Sequence, residues 1–199
     1  FRTTSLAFRD CISLMIELKE RTTTVDLKAK PFNLTDKDIQ WVEETIANMT
    51  IEEKIGQLFV NMGASRDEEY LKDMLNTYHI GAVRYNPATA EQVYDQNKIL
   101  QENSKIPLLI AANTENGGNG ACIDGTYVGS QVKIGATNDP KYAYELGRVS
   151  GVEAAAIGCN WSFAPVVDID MNWRNPVISS RCYSNKAEQV LEFSLEYMR

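Results

Sequence analysis

Four charged side chains fall within one short polar stretch near the end of the 199-residue chain: Asp168, Asp170, Arg174 and Arg181. The run before them, residues 161–167, is apolar apart from one serine, which predicts a strand buried on both faces of a parallel sheet. Parallel α/β proteins build their sites from loops at the carboxyl ends of such strands. The stretch is therefore a candidate active-site wall, although Asp168 could instead cap a loop and the arginines could pair with surface acids.

A second polar stretch follows an earlier apolar run and is rich in glycine. It reads Asn113, Thr114, Glu115, Asn116 and then glycine at 117, 118 and 120. Glycines just past a strand allow close approach of the backbone to a ligand, or turns with positive φ. A nucleotide-binding loop is not favoured, because the spacing fits neither GxGxxG nor GxxxxGK[ST], there is no lysine, and no helix begins promptly.

The elements that would position these loops alternate along the chain. Strands are predicted at residues 58–62, 82–85, 108–112 and 161–167, with helices at 67–78, 89–103 and 140–157 between them. This alternation predicts βα units and an α/β fold with a parallel sheet. Four units are half of the eight that close a TIM barrel, but an open doubly wound sheet would show the same local pattern.

Helix boundaries follow from capping chemistry. Thr35 begins a helical pattern, and Thr50 with Glu53 forms a capping box for a second helix. Asp139 before Pro140 predicts a helix start, and Gly158 predicts the end of that helix. Asn185 and Glu188 are the cap and box expected for the last helix.

Composition argues against several classes of partner. The net charge of −7 and the pI near 4.9, without a basic cluster, exclude an ordinary nucleic-acid surface. The four cysteines at 11, 122, 159 and 182 form no CxxC pair, so we expect no metal, no cofactor and no dense disulfide framework. The apolar run at 11–18 is too short to span a membrane and lacks a signal cleavage site, so a cytoplasmic protein is predicted unless a signal lies upstream.

Two segments of the chain resemble glycoside hydrolase family 3. FAPVVDI, RNPVI and SRCYS, in order within residues 163–184, resemble the segment after the fourth barrel strand, and MTIEEKIGQLFV resembles the family's opening signature. The resemblance implies a partial TIM (β/α)8 barrel of about four βα units with parallel strands. Residues 25–199 would be the first part of that barrel domain, truncated within a helix at Arg199, and residues 1–24 an extension of doubtful nativeness.

The resemblance also implies which residues bind substrate. The family's D-x-E-G-G-like segment uses its Asp to hold sugar hydroxyls; here Asn113 stands in that place, and Glu115 is expected to take over the charged contact. Arg181 matches the family's sugar-binding arginine and is expected to face Asn113 and Glu115 from the opposing wall of a hollow. Asp168 matches a position that holds the loop in shape. Trp173 is a candidate for stacking on a sugar face, with packing on its own loop as the alternative.

The implied activity is retaining hydrolysis of terminal β-linked N-acetylglucosamine or glucose, as in the family's β-N-acetylhexosaminidases and β-glucosidases. Such enzymes need two carboxyl groups about 5–5.5 Å apart that flank the scissile bond. Asp168 and Asp170 would approach from one side only, so the nucleophile and the acid/base are expected beyond Arg199. We therefore expect the 199-residue chain to be inactive without the remainder of the barrel.

Two other functions remain open from the sequence. One is a non-catalytic carbohydrate-binding or degenerate barrel protein, which the replacement of Asp by Asn113 allows. The other is an unrelated open α/β protein that binds a nucleotide at residues 117–120. An Asp in a downstream nucleophile segment would favour the enzyme over the carbohydrate-binding protein.

Overall fold

The computed structural model describes residues 25–199, so the predicted extension at residues 1–24 lies outside the described part. The described residues fall into two units, residues 25–48 and residues 49–199. In the first unit, helix α1 spans Asp36–Asn48. Thr35 and Asp38 exchange hydrogen bonds at its start, because the Thr35 N–H donates to Asp38 Oδ2 and the Asp38 N–H donates to Thr35 Oγ1 (3.0 and 3.3 Å). The predicted helix start is confirmed.

The second unit alternates strands and helices as predicted. In chain order the elements are α2 Ile51–Gly56, β1 Val60–Gly63, α3 Glu68–Tyr78, β2 Ala82–Tyr85, α4 Ala90–Asn103, β3 Leu109–Ala112, α5 Gln131–Ala136, α6 Lys141–Ala156, β4 Trp161–Ser162 and α7 Ala187–Met198. A short 3-10 turn, Gly118–Gly120, follows β3. The short helix α5 was not predicted, because six residues are too few to show a helical period.

Strand order separates the two folds that the sequence left open. Within residues 49–199, the strands form one parallel sheet in the order β1-β2-β3-β4. Each strand therefore lies beside the next one in the chain, always on the same side. A doubly wound sheet reverses direction at a switch point, whereas a (β/α)8 barrel continues in one direction. The partial-barrel fold is thus confirmed.

The two faces of the sheet have different environments. One face packs against helices α3, α4 and α6 and forms the main core, which includes Leu71, Val83, Tyr85, Val93, Leu100, Leu108, Ile110 and Ala112. The opposite face, which would line the barrel interior, leaves Val60, Met62 and Leu109 about half exposed. A smaller core joins α5, α6 and α7 and contains Ile134, Ala143, Leu146, Tyr183, Val190, Phe193 and Tyr197.

The fourth strand is shorter than predicted. Regular pairing ends at Ser162, and the last ladder bond runs from the Phe163 N–H to the Ala112 carbonyl (3.0 Å). Pro165 has no N–H to continue the ladder, and the Val166 N–H donates instead to the Gln131 side chain (2.8 Å). Both faces of the predicted strand are exposed, including Trp161, so the expectation of a strand buried on both faces was wrong.

Most of the predicted helix caps are present. Thr50 and Glu53 form the capping box, Asp139 Oδ1 accepts from the Lys141 N–H (3.0 Å), and Gly158 follows α6 with φ +84°. The cap of α7 was wrong: Lys186 precedes that helix and no side chain caps it. Ser184 Oγ accepts a hydrogen bond from the Lys186 N–H (3.1 Å). The side-chain acceptor before this helix is therefore Ser184 and not the predicted Asn185.

No helix within residues 25–199 is both long enough and apolar enough to cross a bilayer.

Candidate functional site

The two polar stretches follow neighbouring parallel strands and therefore meet at one edge of the sheet. We call residues 113–130 the β3 loop and residues 163–186 the β4 loop. Arg181 of the β4 loop donates from Nε to Glu115 Oε2 and from Nη2 to Glu115 Oε1, both at 2.8 Å. This is the paired geometry in which a guanidinium group binds a carboxylate most strongly. The structure thus joins two predicted site residues that lie 66 positions apart.

The surroundings of the pair make it a charged, accessible feature. The Glu115 side chain is 14% exposed and the Arg181 side chain 42% exposed. The hydrogen bond and charge of Glu115 raise the pKa of Arg181, and the nearby negative charge of exposed Asp168 raises this pKa further. Of the five predicted substrate-binding residues, Glu115 and Arg181 are therefore in contact, and Asp168 is near enough for its charge to act on Arg181.

The pair differs from its predicted arrangement in one respect. Glu115 and Arg181 were expected on opposing walls of a hollow, but they are in direct contact. Each carboxylate oxygen keeps a further acceptor site, and Nη1 of Arg181 is not used in the pair. A polar ligand would meet the two side chains as one unit that offers both acceptors and donors. Half-buried Asn113, two residues before Glu115, immediately follows β3.

Trp173 does not join this group. Its side chain is 75% exposed, and the guanidinium carbon of Arg174 lies 4.9 Å from its ring centroid. It lines a cavity of about 450 Å³ beside Asp170, Met171 and Asn185, and neither Glu115 nor Arg181 lines that cavity. In the structure Trp173 therefore packs on its own loop, as the alternative interpretation allowed.

The glycines of the β3 loop pack against the chain itself. Gly117 has φ +130° and pairs with Tyr127 in an antiparallel bridge. A Cβ on Gly118 would lie 1.8 Å from Glu153 Oε2, and a Cβ on Gly120 would lie 1.7 Å from the Asn113 carbonyl oxygen. The close approaches that need glycine are thus to the protein's own groups, one of them a carboxylate. This arrangement argues against a phosphate cradle at residues 117–120.

Asp124 attaches the middle of the β3 loop to the start of α4. Asp124 Oδ1 accepts a hydrogen bond from the Ala90 N–H at the start of α4 (2.8 Å), and the Ile123 N–H donates to the Ala88 carbonyl (2.8 Å). The hydrogen bond from Ala90 holds the pKa of Asp124 below its usual range. Hence the loop that carries Glu115 is anchored to the helix after β2.

The two carboxylates first considered for catalysis have different neighbours. Asp168 is exposed, whereas Asp170 has a buried Oδ1 without a hydrogen-bond partner among the described residues. Burial raises the pKa of the adjacent Cys182 thiol, and the charge of Asp170 adds to that rise. Across residues 25–199, no group of three His, Cys, Asp or Glu side chains is placed to hold a metal ion.

Sequence reasoning missed a group of hydroxyls beneath the site. Thr114 is buried between Asn113 and Glu115, and its hydroxyl lies within hydrogen-bond distance of those of Ser162 and Tyr197. No signal in the sequence marks this group, because Ser162 and Tyr197 lie 48 and 83 positions from Thr114.

Comparison with known proteins places these features in context. Residues 50–199 match the Glycosyl hydrolase family 3 N terminal domain. The chain is 39% identical over 174 residues to a Beta-N-acetylglucosaminidase/beta-glucosidase of Cellulomonas fimi, and the matched region covers 87% of this chain and 31% of that protein. It is 31% identical over 139 residues to a Periplasmic beta-glucosidase of Salmonella typhimurium, and that matched region covers 67% of this chain and 17% of the relative.

A solved structure is similar over the same region. Beta-glucoside phosphorylase BglX bound to 2FGlc superimposes with a TM-score of 0.81 at 38% sequence identity, which covers 87% of this chain and 32% of that one. This chain therefore spans about a third or less of the length of these three proteins.

Proposed function

Because the chain belongs to glycosyl hydrolase family 3, we propose that it is the sugar-binding part of a retaining enzyme that cleaves terminal β-linked N-acetylglucosamine or glucose. The observation that carries this proposal is the contact between Glu115 and Arg181 across two neighbouring barrel loops. Those loops occupy the carboxyl ends of β3 and β4, where barrel enzymes build their sites.

The chemistry of the pair suits a pyranose ring. Sugar hydroxyls both donate and accept hydrogen bonds, and bonds to charged partners are about twice as strong as those between neutral groups. The free acceptor sites of Glu115 would take hydroxyl protons while Nη1 of Arg181 donates to a neighbouring hydroxyl oxygen. Asn113 and Asp168 would add an amide and a second carboxylate to the same edge. The pair would be preorganised, since each member already holds the other in position.

The names of the relatives support the two sugars. The Cellulomonas fimi protein is named for both N-acetylglucosamine and glucose. We therefore propose one pocket that accepts either sugar, with the choice made by contacts around the position that carries the N-acetyl group. The cellular location stays a prediction, since one relative is periplasmic.

Retaining hydrolysis needs two carboxyl groups that flank the scissile bond. We propose that the nucleophile and the acid/base come from parts of the domain that complete the barrel, and that the 199-residue chain is inactive alone. The half-exposed apolar face of the sheet, with Val60, Met62 and Leu109, supports this proposal, because a closed barrel fills its interior with such side chains.

Binding can be tested on the 199-residue chain by titration with N-acetylglucosamine and glucose while the Arg181 Nε–H signal is followed by NMR. We expect a saturable shift with both sugars and none with ATP or mannitol. Glu115→Gln, which keeps the Arg181 signal, should abolish the response, whereas Arg174→Lys in the β4 loop should retain it. Equal responses in wild type and Glu115→Gln, or none in either, would refute the proposal. Turnover of an aryl β-glycoside by this chain would contradict its proposed inactivity.

A second candidate reaction is phosphorolysis, because the solved relative at 38% identity is a phosphorylase. The glycosyl group would then be transferred to phosphate instead of water. The two reactions can be distinguished with a form of the protein that cleaves an aryl β-glycoside in the presence of phosphate. A phosphorylase would release sugar 1-phosphate, whereas a hydrolase would release free sugar. A form that includes the whole barrel, binds sugar and yields neither product would indicate the non-catalytic carbohydrate-binding alternative.

A further inference from the structure

Thr114 lies at a junction of four elements. It is 1% exposed, and its Oγ1 is 2.8 Å from Ser162 Oγ of β4 and 3.0 Å from Tyr197 Oη of α7. Its carbonyl oxygen accepts hydrogen bonds from Ser150 Oγ of α6 and from Tyr197 Oη, both at 3.0 Å. One residue of the β3 loop is thus hydrogen-bonded to three other elements.

The same contacts join the bases of the two site loops. Ser162 Oγ also accepts from the Ala164 N–H at the start of the β4 loop (3.0 Å). The two loops are therefore connected twice: at their base by Thr114 and Ser162, and farther out by Glu115 and Arg181. The outer contact is bidentate, but its Arg181 side chain is 42% exposed, whereas Thr114 of the inner contact is 1% exposed, so the inner contact is the better placed of the two to fix the loops.

We propose that Thr114 is a positioning residue whose hydroxyl and carbonyl set the geometry in which Glu115 meets Arg181. The value of this pair for sugar binding rests on the proposed function; the positioning itself does not. Thr114 and Glu115 are adjacent in the chain, so the contacts that hold the Thr114 side chain and carbonyl in the core also hold the backbone from which the Glu115 side chain reaches Arg181.

Simple filling of the core does not account for this group. Valine would occupy the same volume as Thr114 without burying a hydroxyl, and buried hydroxyls are tolerated only when they are hydrogen-bonded. The satisfied hydroxyls of Thr114, Ser162 and Tyr197 impose directions that apolar contacts do not. Such networks define one arrangement of the elements they join.

The test uses the 199-residue chain and the NMR signal of Arg181 Nε–H, identified by its loss in Arg181→Lys. In wild type this hydrogen is bonded to Glu115, so its exchange with solvent should be slow. We expect Thr114→Val to speed this exchange roughly tenfold or more by freeing the two loops, and Thr114→Ser to restore the slow rate. Ser162→Ala should act in the same direction as Thr114→Val.

A matched control separates positioning from general loss of stability. Val93 is fully buried in the main core, away from the hydroxyl group, and Val93→Ala should lower the melting temperature without speeding Arg181 exchange. An unchanged rate in Thr114→Val would overturn the proposal, as would an equal acceleration in Val93→Ala. If Thr114→Val does not fold, an unchanged rate in Ser162→Ala would overturn it in the same way.

The positioning role of Thr114 and the proposed sugar site can fail separately, and the two failures give different results. If neither sugar binds the wild type but Thr114→Val accelerates Arg181 exchange, the positioning role stands and the sugar site falls. If N-acetylglucosamine binds wild type and Thr114→Val equally, with equal Arg181 exchange, the sugar site stands and the positioning role falls.

Discussion

Asp124 Oδ1 accepts a 2.8 Å hydrogen bond from the backbone N–H of Ala90, although 34 positions separate the two residues. The contact supplies a carboxylate to the N-terminal end of α4, where Thr89 already forms a capping box with Gln92. A negative charge is favourable at this end of a helix. It also holds the β3 loop against the neighbouring βα unit.

Acid should weaken this contact only below the usual aspartate pKa. The pKa of Asp124 is held below its usual range, mainly by the Ala90 N–H, so the contribution of Asp124 to stability is complete above the usual aspartate pKa of about 3.9 and is lost as the pH falls through the folded-state pKa. Asp124→Asn should therefore show a flatter loss of melting temperature than wild type as the pH falls from about 4 to about 2. Asp95→Asn, at an exposed position on α4, is the control. Equal acid slopes in wild type and Asp124→Asn would count against the prediction.

Glycine replacements should rank according to what each new Cβ meets. At Gly120 the obstacle is the backbone carbonyl of Asn113, which cannot rotate away, so Gly120→Ala should lower the free energy of unfolding by about 2–3 kcal/mol. At Gly118 the nearest atoms belong to the Glu153 side chain, which also accepts from the Thr126 N–H. Gly118→Ala should therefore lower the free energy of unfolding by about 1 kcal/mol.

The control for this series lies in α6. No atom lies within 4 Å of a Cβ placed on Gly151, an exposed helical position. Gly151→Ala should raise the free energy of unfolding by about 0.5–1 kcal/mol, since alanine is the better helix former. Urea denaturation measures the free energy of unfolding of all three variants. Gly151→Ala should be the most stable, Gly118→Ala intermediate and Gly120→Ala the least stable, and any other order would contradict the contacts described.

The ion pair between Glu115 and Arg181 should show measurable coupling. Glu115→Gln and Arg181→Lys should each lower the free energy of unfolding by about 1 kcal/mol, since lysine cannot reproduce the paired hydrogen bonds. The double variant should lose less than the sum of the two, because both changes break one contact. Coupling should fall in 1 M NaCl, which screens the exposed side of the pair. Strict additivity would mean that the pair is not formed in solution.

Three cysteines should resist alkylation in the folded protein. Cys122, Cys159 and Cys182 are buried, and burial raises the pKa of each thiol, that of Cys122 to about 11. Since the thiolate is the reactive form, labelling at pH 8 in a Cys11→Ser background should be slow until urea unfolds the chain. Mass spectrometry counts the modified sites. Rapid modification of all three without urea would show that the loops open far more readily than their packing implies.

Trp173 should be dispensable for the proposed sugar contact. Its ring lies in a cavity that neither Glu115 nor Arg181 lines, and its neighbour is Arg174. Trp173→Ala should leave both the stability and the sugar-induced shift of the Arg181 signal close to wild type. A loss of the shift in Trp173→Ala alone would place this ring against the ligand and would restore the stacking hypothesis.

The helices and most strands could be predicted because their causes are local. Alternating apolar runs and the caps at Thr50 and Asp139 are visible in a few adjacent residues, and the structure places elements at those positions. The fourth strand could not be bounded in this way. Its end depends on Gln131, 35 positions from Val166, whose side chain takes the place of the next strand bond.

The sequence by itself determined that the chain alternates strands and helices and that Glu115, Asp168 and Arg181 lie on loops after neighbouring strands, because composition and capping act within a turn or two of chain. Only the tertiary structure decided that the strands run in barrel order, that Glu115 contacts Arg181, and that Trp173 lies apart. Those outcomes depend on how helices pack on the sheet and where each loop is anchored. Contacts such as those of Thr114 with Ser162 and Tyr197 join residues 48 and 83 positions apart, and no local pattern encodes them.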